Sequence, residues 1–298
     1  MRKAIALMIT LFFIMAITLS LGIGLKYVKE GAQSVNSEQF ILQCRSLLDD
    51  LITLLKTSPD IAAINSADTL TLFLAQASFI PLNSNDVNVI IEIESARSKI
   101  TPELFKNQEK SEIMRSFFST NAVNPEYVDI LHDLMNGIKE DGAYNTDIFN
   151  DNPYLFRDYI ASAKHLEEAQ KFYEERFHDE ALRKIDQSKL FYLSQETNAT
   201  NYKVDLNHAT PLVWELLLGC DKERAKVLYA NEGLYTSQND LLLSEDENLS
   251  LQKFRQNISY YEPYIAIKIR IMHKNQTANI SFEYNLESKK GSNFVLEV

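Results

Sequence analysis

Two cysteines in 298 residues, Cys44 and Cys220, are too few for a disulfide framework, and their spacing matches no metal-binding pattern. They can pair in an oxidising compartment or stand as two separate buried thiols. Histidine is scarce as well. The five, at 132, 165, 178, 208 and 273, have no cysteine or acid spaced to complete a catalytic or zinc set. The signatures GxSxG, HExxH and the phosphate loop are missing, so no enzyme site is expected. Basic residues are in deficit, 30 Lys and Arg against 41 Asp and Glu, for a formal charge of −11. Phosphate-binding surfaces are built from clustered Lys and Arg, so this balance argues against nucleic acid as a partner.

Charge is wholly absent from residues 5–25, IALMITLFFIMAITLSLGIGL. As a helix, that run would be about 32 Å long, enough for a bilayer core of about 30 Å. Arg2 and Lys3 precede it, which holds that end in the cytoplasm, and Lys26 and Lys29 follow. The run is too long for the apolar core of a cleaved signal, and Ser20-Leu21-Gly22 is a poor cleavage site. An anchor is expected, either a plain one or the rod of a subunit whose helix continues from lipid into a folded head.

Beyond the rod, periodicity predicts a core-facing helix over 37–56, with Phe40, Cys44, Leu47, Leu51 and Leu54 in its stripe, stopped at Ser58-Pro59. Asp68 reads as the N-cap of a second helix over 69–75, ending before Pro81. At 86–94 the period changes to two: Val87, Val89, Ile91 and Ile93 alternate with mostly polar residues, which predicts a strand. Helices are expected at 102–120, 125–140, 153–178 and 178–194. Thr210-Pro211 opens another, Gly219 breaks it and Asp221 caps the next, a helix-hairpin-helix pattern. Strand period returns with Ile265 to Ile271, Ile280 to Leu286 and Phe294 to Val298, an antiparallel meander. A lone strand is unstable, so the strand at 86–94 should join the late meander, making the helical block between them an insertion. The expected class is α+β. The expected parts are a leader at 1–4, a membrane helix at 5–25, a first helix and strand over 26–100, an all-helical insert over 101–250 and completing strands over 251–298.

This order of features resembles the K-type minor pseudopilins of bacterial type II secretion systems. Arg2-Lys3-Ala4-Ile5-Ala6-Leu7 is similar to the family's Arg-Gly-Val-Ala-Leu-Leu-Ile start. On that alignment Ala4 stands where prepilin peptidase expects glycine, and Ile5 would be the first mature residue. Pilins generally carry glutamate at the fifth mature position, K-type proteins lack it, and here the position is Ile9. The long helical insert is particular to this type. The segment from Val204 to Pro211, VDLNHATP, followed by Leu216-Leu217 and Gly219, is similar to the family's Asn-Leu-Asn-Thr-Ala-Pro segment. The family's Trp-Ile-Asp segment is not intact here.

The resemblance implies a subunit that starts and caps a pseudopilus. Its partners would be the I- and J-type minor pseudopilins, the major pseudopilin, the inner-membrane assembly platform and prepilin peptidase. It would cross the inner membrane once, with its N-terminus cytoplasmic and its head periplasmic. A DNA-uptake pseudopilus or an anchored periplasmic binding protein are the alternatives. The resemblance also implies calcium in the insert. The polar loop at 140–152, with Asp141, Asn145, Asp147, Asn150 and Asp151, carries the hard oxygens calcium prefers but lacks EF-hand spacing, and a solvated turn is the alternative. The hairpin at Gly219 has Lys222 and Arg224 amid Glu215 and Glu223, and residues 102–250 hold thirteen more acids than bases, which favours packing over DNA binding. Asn198 and Asn248 fit an acid-x-Asn-x-Ser/Thr glycosylation pattern.

Overall fold

The structure, a computed structural model, describes residues 37–84, 87–139, 142–193, 202–231, 234–273 and 276–297. Among these, no helix is long and apolar enough to cross a membrane, and the run at 5–25 lies outside them. The chain divides into two compact units. One is formed by the chain up to Ala96 and from Pro263, the other by Arg97–Glu262.

In the first unit, α1 (Ser37–Thr57) puts Cys44, Leu51 and Leu55 on its buried side. Ser58 caps the single turn α2 (Pro59–Ala62), where proline suits the first helical position. The cap of α3 (Ala67–Ala77) is Ser66 rather than Asp68. Ser66 and Thr69 form a reciprocal capping box, leaving Asp68 in the first turn. Then comes a strand that the periodicity did not predict, β1 (Phe79–Ser84), containing Pro81. Proline lacks the N–H of a ladder, and β1 lies at the edge of the sheet, where that is tolerated.

The sheet runs β1, β2 (Val87–Ser95), β3 (Tyr264–His273), β4 (Gln276–Asn285), β5 (Lys290–Glu297), each pair antiparallel. The early strand therefore pairs across the insertion with the late ones: Ile91 faces Ile269 and Ser95 faces Ile265. Register follows from the period of two. Ile80, Ile91, Ile269, Ile280 and Leu296 form one row across all five strands, and Ile93, Ile267 and Phe282 form the next. A one-residue slip would turn every one of these side chains to the other face. The helices α1 and α3 pack against β4 and β2.

The second unit is mainly helical. It is not all-helical, because Val204–Asp205 and Ile258–Ser259 make a short parallel pair and Ile100 bridges Phe191. Its contact limits, Arg97 and Glu262, lie outside the 101–250 expected. The helix predicted over 102–120 is two pieces: Pro102–Lys106 is a 3-10 turn, and α4 (Gln108–Thr120) starts afresh because the extended Asn107 accepts a hydrogen bond from Lys110 N. Next, α5 (Tyr127–Met135) stops before Gly137, which is left-handed at φ +72°. The short α6 (Ile148–Asp151) precedes α7 (Ala163–Phe177), which begins only at its Ser162 cap and ends at a left-handed His178. The helix predicted over 178–194 is instead a 3-10 turn at Ala181–Lys184 and α8 (Gln187–Leu190), parted by the capping Asp186.

After these come α9 (Pro211–Leu218), α10 (Lys222–Tyr229) and α11 (Glu245–Gln252). Thr210 caps α9, Gly219 ends it at φ +64°, and Asp221 caps α10. The core holds Trp214 and a chain of edge-to-face rings, Phe118 on Tyr127 and Tyr127 on Tyr173. Tyr127 Oη donates to Gln187 at 2.6 Å.

Candidate functional site

Three arrangements in the second unit bear on function. The first is the loop at 142–158. It is organised by Asp133, a residue on the buried stripe of α5 with no exposed surface. One carboxylate oxygen accepts from Asn145 N at 2.9 Å and Asn145 Nδ2 at 3.1 Å. The other accepts from Thr146 N at 2.7 Å and Thr146 Oγ1 at 2.8 Å. Further along, Arg157 lies 3.9 Å from the Phe149 ring centre and donates to Tyr144 Oη and Pro153 O, both at 2.9 Å.

The second arrangement is the VDLNHATP segment. Asn207 ties three chain segments together: Nδ2 donates to Tyr235 O at 3.0 Å and Tyr260 O at 2.6 Å, and Oδ1 accepts from Tyr235 N at 2.8 Å. Asp205 is fully buried, and its carboxylate accepts from Asn207 N at 3.0 Å and Glu262 N at 3.2 Å. Burial outweighs these amides and pushes its pKa up to about 7. Burial likewise draws His208 down to about 4. Arg97 stacks on Tyr192 and Tyr202, at 5.1 and 4.8 Å from their ring centres. Asn207 and Asp205 thus bind this segment to residues 235, 260 and 262.

The third is a cleft of about 560 Å³ beside Gly219, lined by Glu112, Asn121, Lys184, Glu215, Cys220 and Lys222 among others. Glu215 lies at its buried side, and burial raises its pKa against the opposing pull of Lys222 and Asn121. Burial pushes the Cys220 thiol up to about 11, away from the reactive thiolate form.

No family model and no curated protein matches the chain. Among solved structures, the fold is similar to a chain of the GspK-GspI-GspJ complex from the type 2 secretion system of enterotoxigenic Escherichia coli. The TM-score is 0.56 over 88% of this chain and 97% of that chain, at 10% sequence identity. The two chains share one fold over nearly their whole length. The pseudopilin resemblance read from the sequence and the structural neighbour thus agree. At this identity the likeness is one of backbone architecture.

Within this fold the sequence-predicted residues scatter. Ala4, Ile5, Ile9, Asp141 and Asn198 lie outside the described residues. Cys44 is buried in α1 of the first unit, Cys220 is half-buried in the second, and both are free thiols. Burial also pushes Cys44 up to about 11. Asn248 sits inside α11 with its side chain engaged, Oδ1 accepting from Gln238 Nε2 at 2.7 Å and Nδ2 donating to Leu243 O at 3.3 Å.

The described members of the expected calcium set do not converge. Asn145 is turned onto Asp133, Asp147 accepts from Arg176 Nη1 at 3.0 Å, and Asp151 is exposed. Among the described residues no group of three or more His, Cys, Asp or Glu is placed to hold a metal ion. Sequence reasoning missed Asp133, Arg157 and Asn207. For Asp133 a signal was present: a lone acid on the apolar stripe of α5, between Ile130 and Leu134, must bring its own donors.

Proposed function

We propose that this chain is the K-type minor pseudopilin of a type II secretion system, and that it starts and caps the pseudopilus supporting export of folded proteins. The observation that carries this reading is the helical unit inserted between two adjacent antiparallel strands, in a fold shared with nearly the whole of a chain from a minor-pseudopilin complex. Residues 5–25 form the rod, anchored once in the inner membrane with the head in the periplasm. A carboxylate in lipid costs several kcal/mol, by rough estimate, unless it is paired. A subunit with Ile9 in place of that acid offers its amine to a neighbour but no acid in return, which suits the end of a filament. A head carrying an inserted unit the size of Arg97–Glu262 would also clash with a subunit stacked above it. The partners are the I- and J-type minor pseudopilins, after the company the neighbour keeps in its complex.

The deciding experiment is the N-terminal mass of the membrane-extracted protein from cells with and without prepilin peptidase. A product beginning at Ile5 only when the peptidase is present supports the reading. An intact Met1 start in both strains, or a start beyond Gly22, overturns it. Co-purification of the I- and J-type subunits with the full chain then tests the capping role.

A further inference from the structure

We propose that the loop at 142–158 is latched by the protein's own charges in place of calcium, so that its order is independent of divalent cations. Calcium takes six to eight oxygen ligands. Two carboxylates at this loop, those of Asp133 and Asp147, are already committed to hydrogen donors. A carboxylate has about four acceptor sites, and the four donors from Asn145 and Thr146 fill those of Asp133. Their hydrogens point where a cation would sit. Asp147 is occupied on both oxygens, by Arg176 Nη1 at 3.0 Å and Asn150 Nδ2 at 3.3 Å.

Three main-chain carbonyls at or beside the loop are committed as well. Ala143 O accepts from Lys139 Nζ at 2.7 Å, Pro153 O from Arg157 Nη2 at 2.9 Å, and Leu134 O from Asp158 N at 3.0 Å. Three cations, Lys139 on Ala143 O, Arg157 on Pro153 O and Arg176 on Asp147, therefore already supply positive charge at the loop, and they would repel a fourth. Two of them also rest on aromatic faces: Arg157 over Phe149, and both Arg157 and Lys139 at 5.4 Å from the Tyr144 ring centre. Tyr144 packs edge-on to Phe149 at 4.6 Å, so the clamp is continuous from Lys139 to Arg157. The inference rests on these contacts alone and stands whether or not the chain caps a pseudopilus.

The test is amide hydrogen exchange on the full-length chain in detergent, in EGTA and in millimolar calcium chloride. The amides of Asn145 and Thr146 should be equally protected in both. In Asp133→Asn they should exchange about tenfold faster or more, and calcium should not restore them. Arg157→Gln, a milder change, should loosen 149–157 alone and keeps the test available if Asp133→Asn fails to fold. Saturable slowing of exchange by calcium in the wild type, or rescue of either variant by calcium, overturns the proposal.

Discussion

Asp205 and His208 sit three residues apart in one buried segment, yet burial moves them in opposite senses. Asp205 is raised from about 3.8 to about 7, so the fold holds its proton more tightly than the unfolded chain does. Its contribution to stability is complete below pH 4 and is lost as pH rises toward and past 7. His208 is lowered from 6.5 to about 4, so its contribution is complete above pH 6.5 and is lost as pH falls toward 4. Between about pH 4 and 6.5 the two trends oppose each other with equal slopes, so their sum should leave the stability of the helical unit nearly flat, although each alone is worth a few kcal/mol in order of magnitude. Urea denaturation across pH 4–9 checks this. Asp205→Asn should uncover the His208 trend, a loss of stability as pH falls from 6.5 toward 4, and a profile as flat as the wild type's would refute the assignment. Asn207→Ala strands Tyr235 O, Tyr260 O and Tyr235 N together, and should cost about 2–4 kcal/mol in the same assay.

Among the elements, the capping box at Ser66 and Thr69 makes Ser66 the residue that starts α3. Ser66→Ala should cost about 1 kcal/mol and Asp68→Ala only a few tenths, a difference readable in denaturation midpoints. Local signals located several ends well: Ser58-Pro59 after α1, and Thr210, Gly219 and Asp221 around α9 and α10. Each is a short-range device whose hydrogen bonds close within four residues. Where the expectation failed, the missing information was long-range. Pro81 reads locally as a stop, and only the neighbouring β2 makes its segment a strand. The helical period across 178–194 gives way because Phe191 is drawn into a bridge with Ile100, 91 positions earlier in the chain.

At the scale of the whole molecule, Ser95 and Ile265 are direct cross-strand partners, and Ala96 N donates to Tyr264 O at 3.0 Å. The two ends of the insertion therefore meet at the geometry of a hairpin. Replacing residues 97–263 by Asn-Gly should leave the five-stranded sheet intact by circular dichroism and cooperative in unfolding. Loss of the strand signal would mean that the sheet depends on the inserted unit. The sequence by itself determined the period of β2, β3 and β4, the helical character of the middle and the uncharged apolar run at 5–25, because these depend on spacings of two to four residues and on uninterrupted hydrophobicity. It also implied that a strand at 86–94 needed distant partners, since one strand cannot bury its face alone. Tertiary structure alone decided which oxygens of the acidic loop remain available. Asp147 and Asn145 look like cation ligands in a string of letters, and become salt-bridge and hydrogen-bond partners once Arg176 and Asp133 are folded against them.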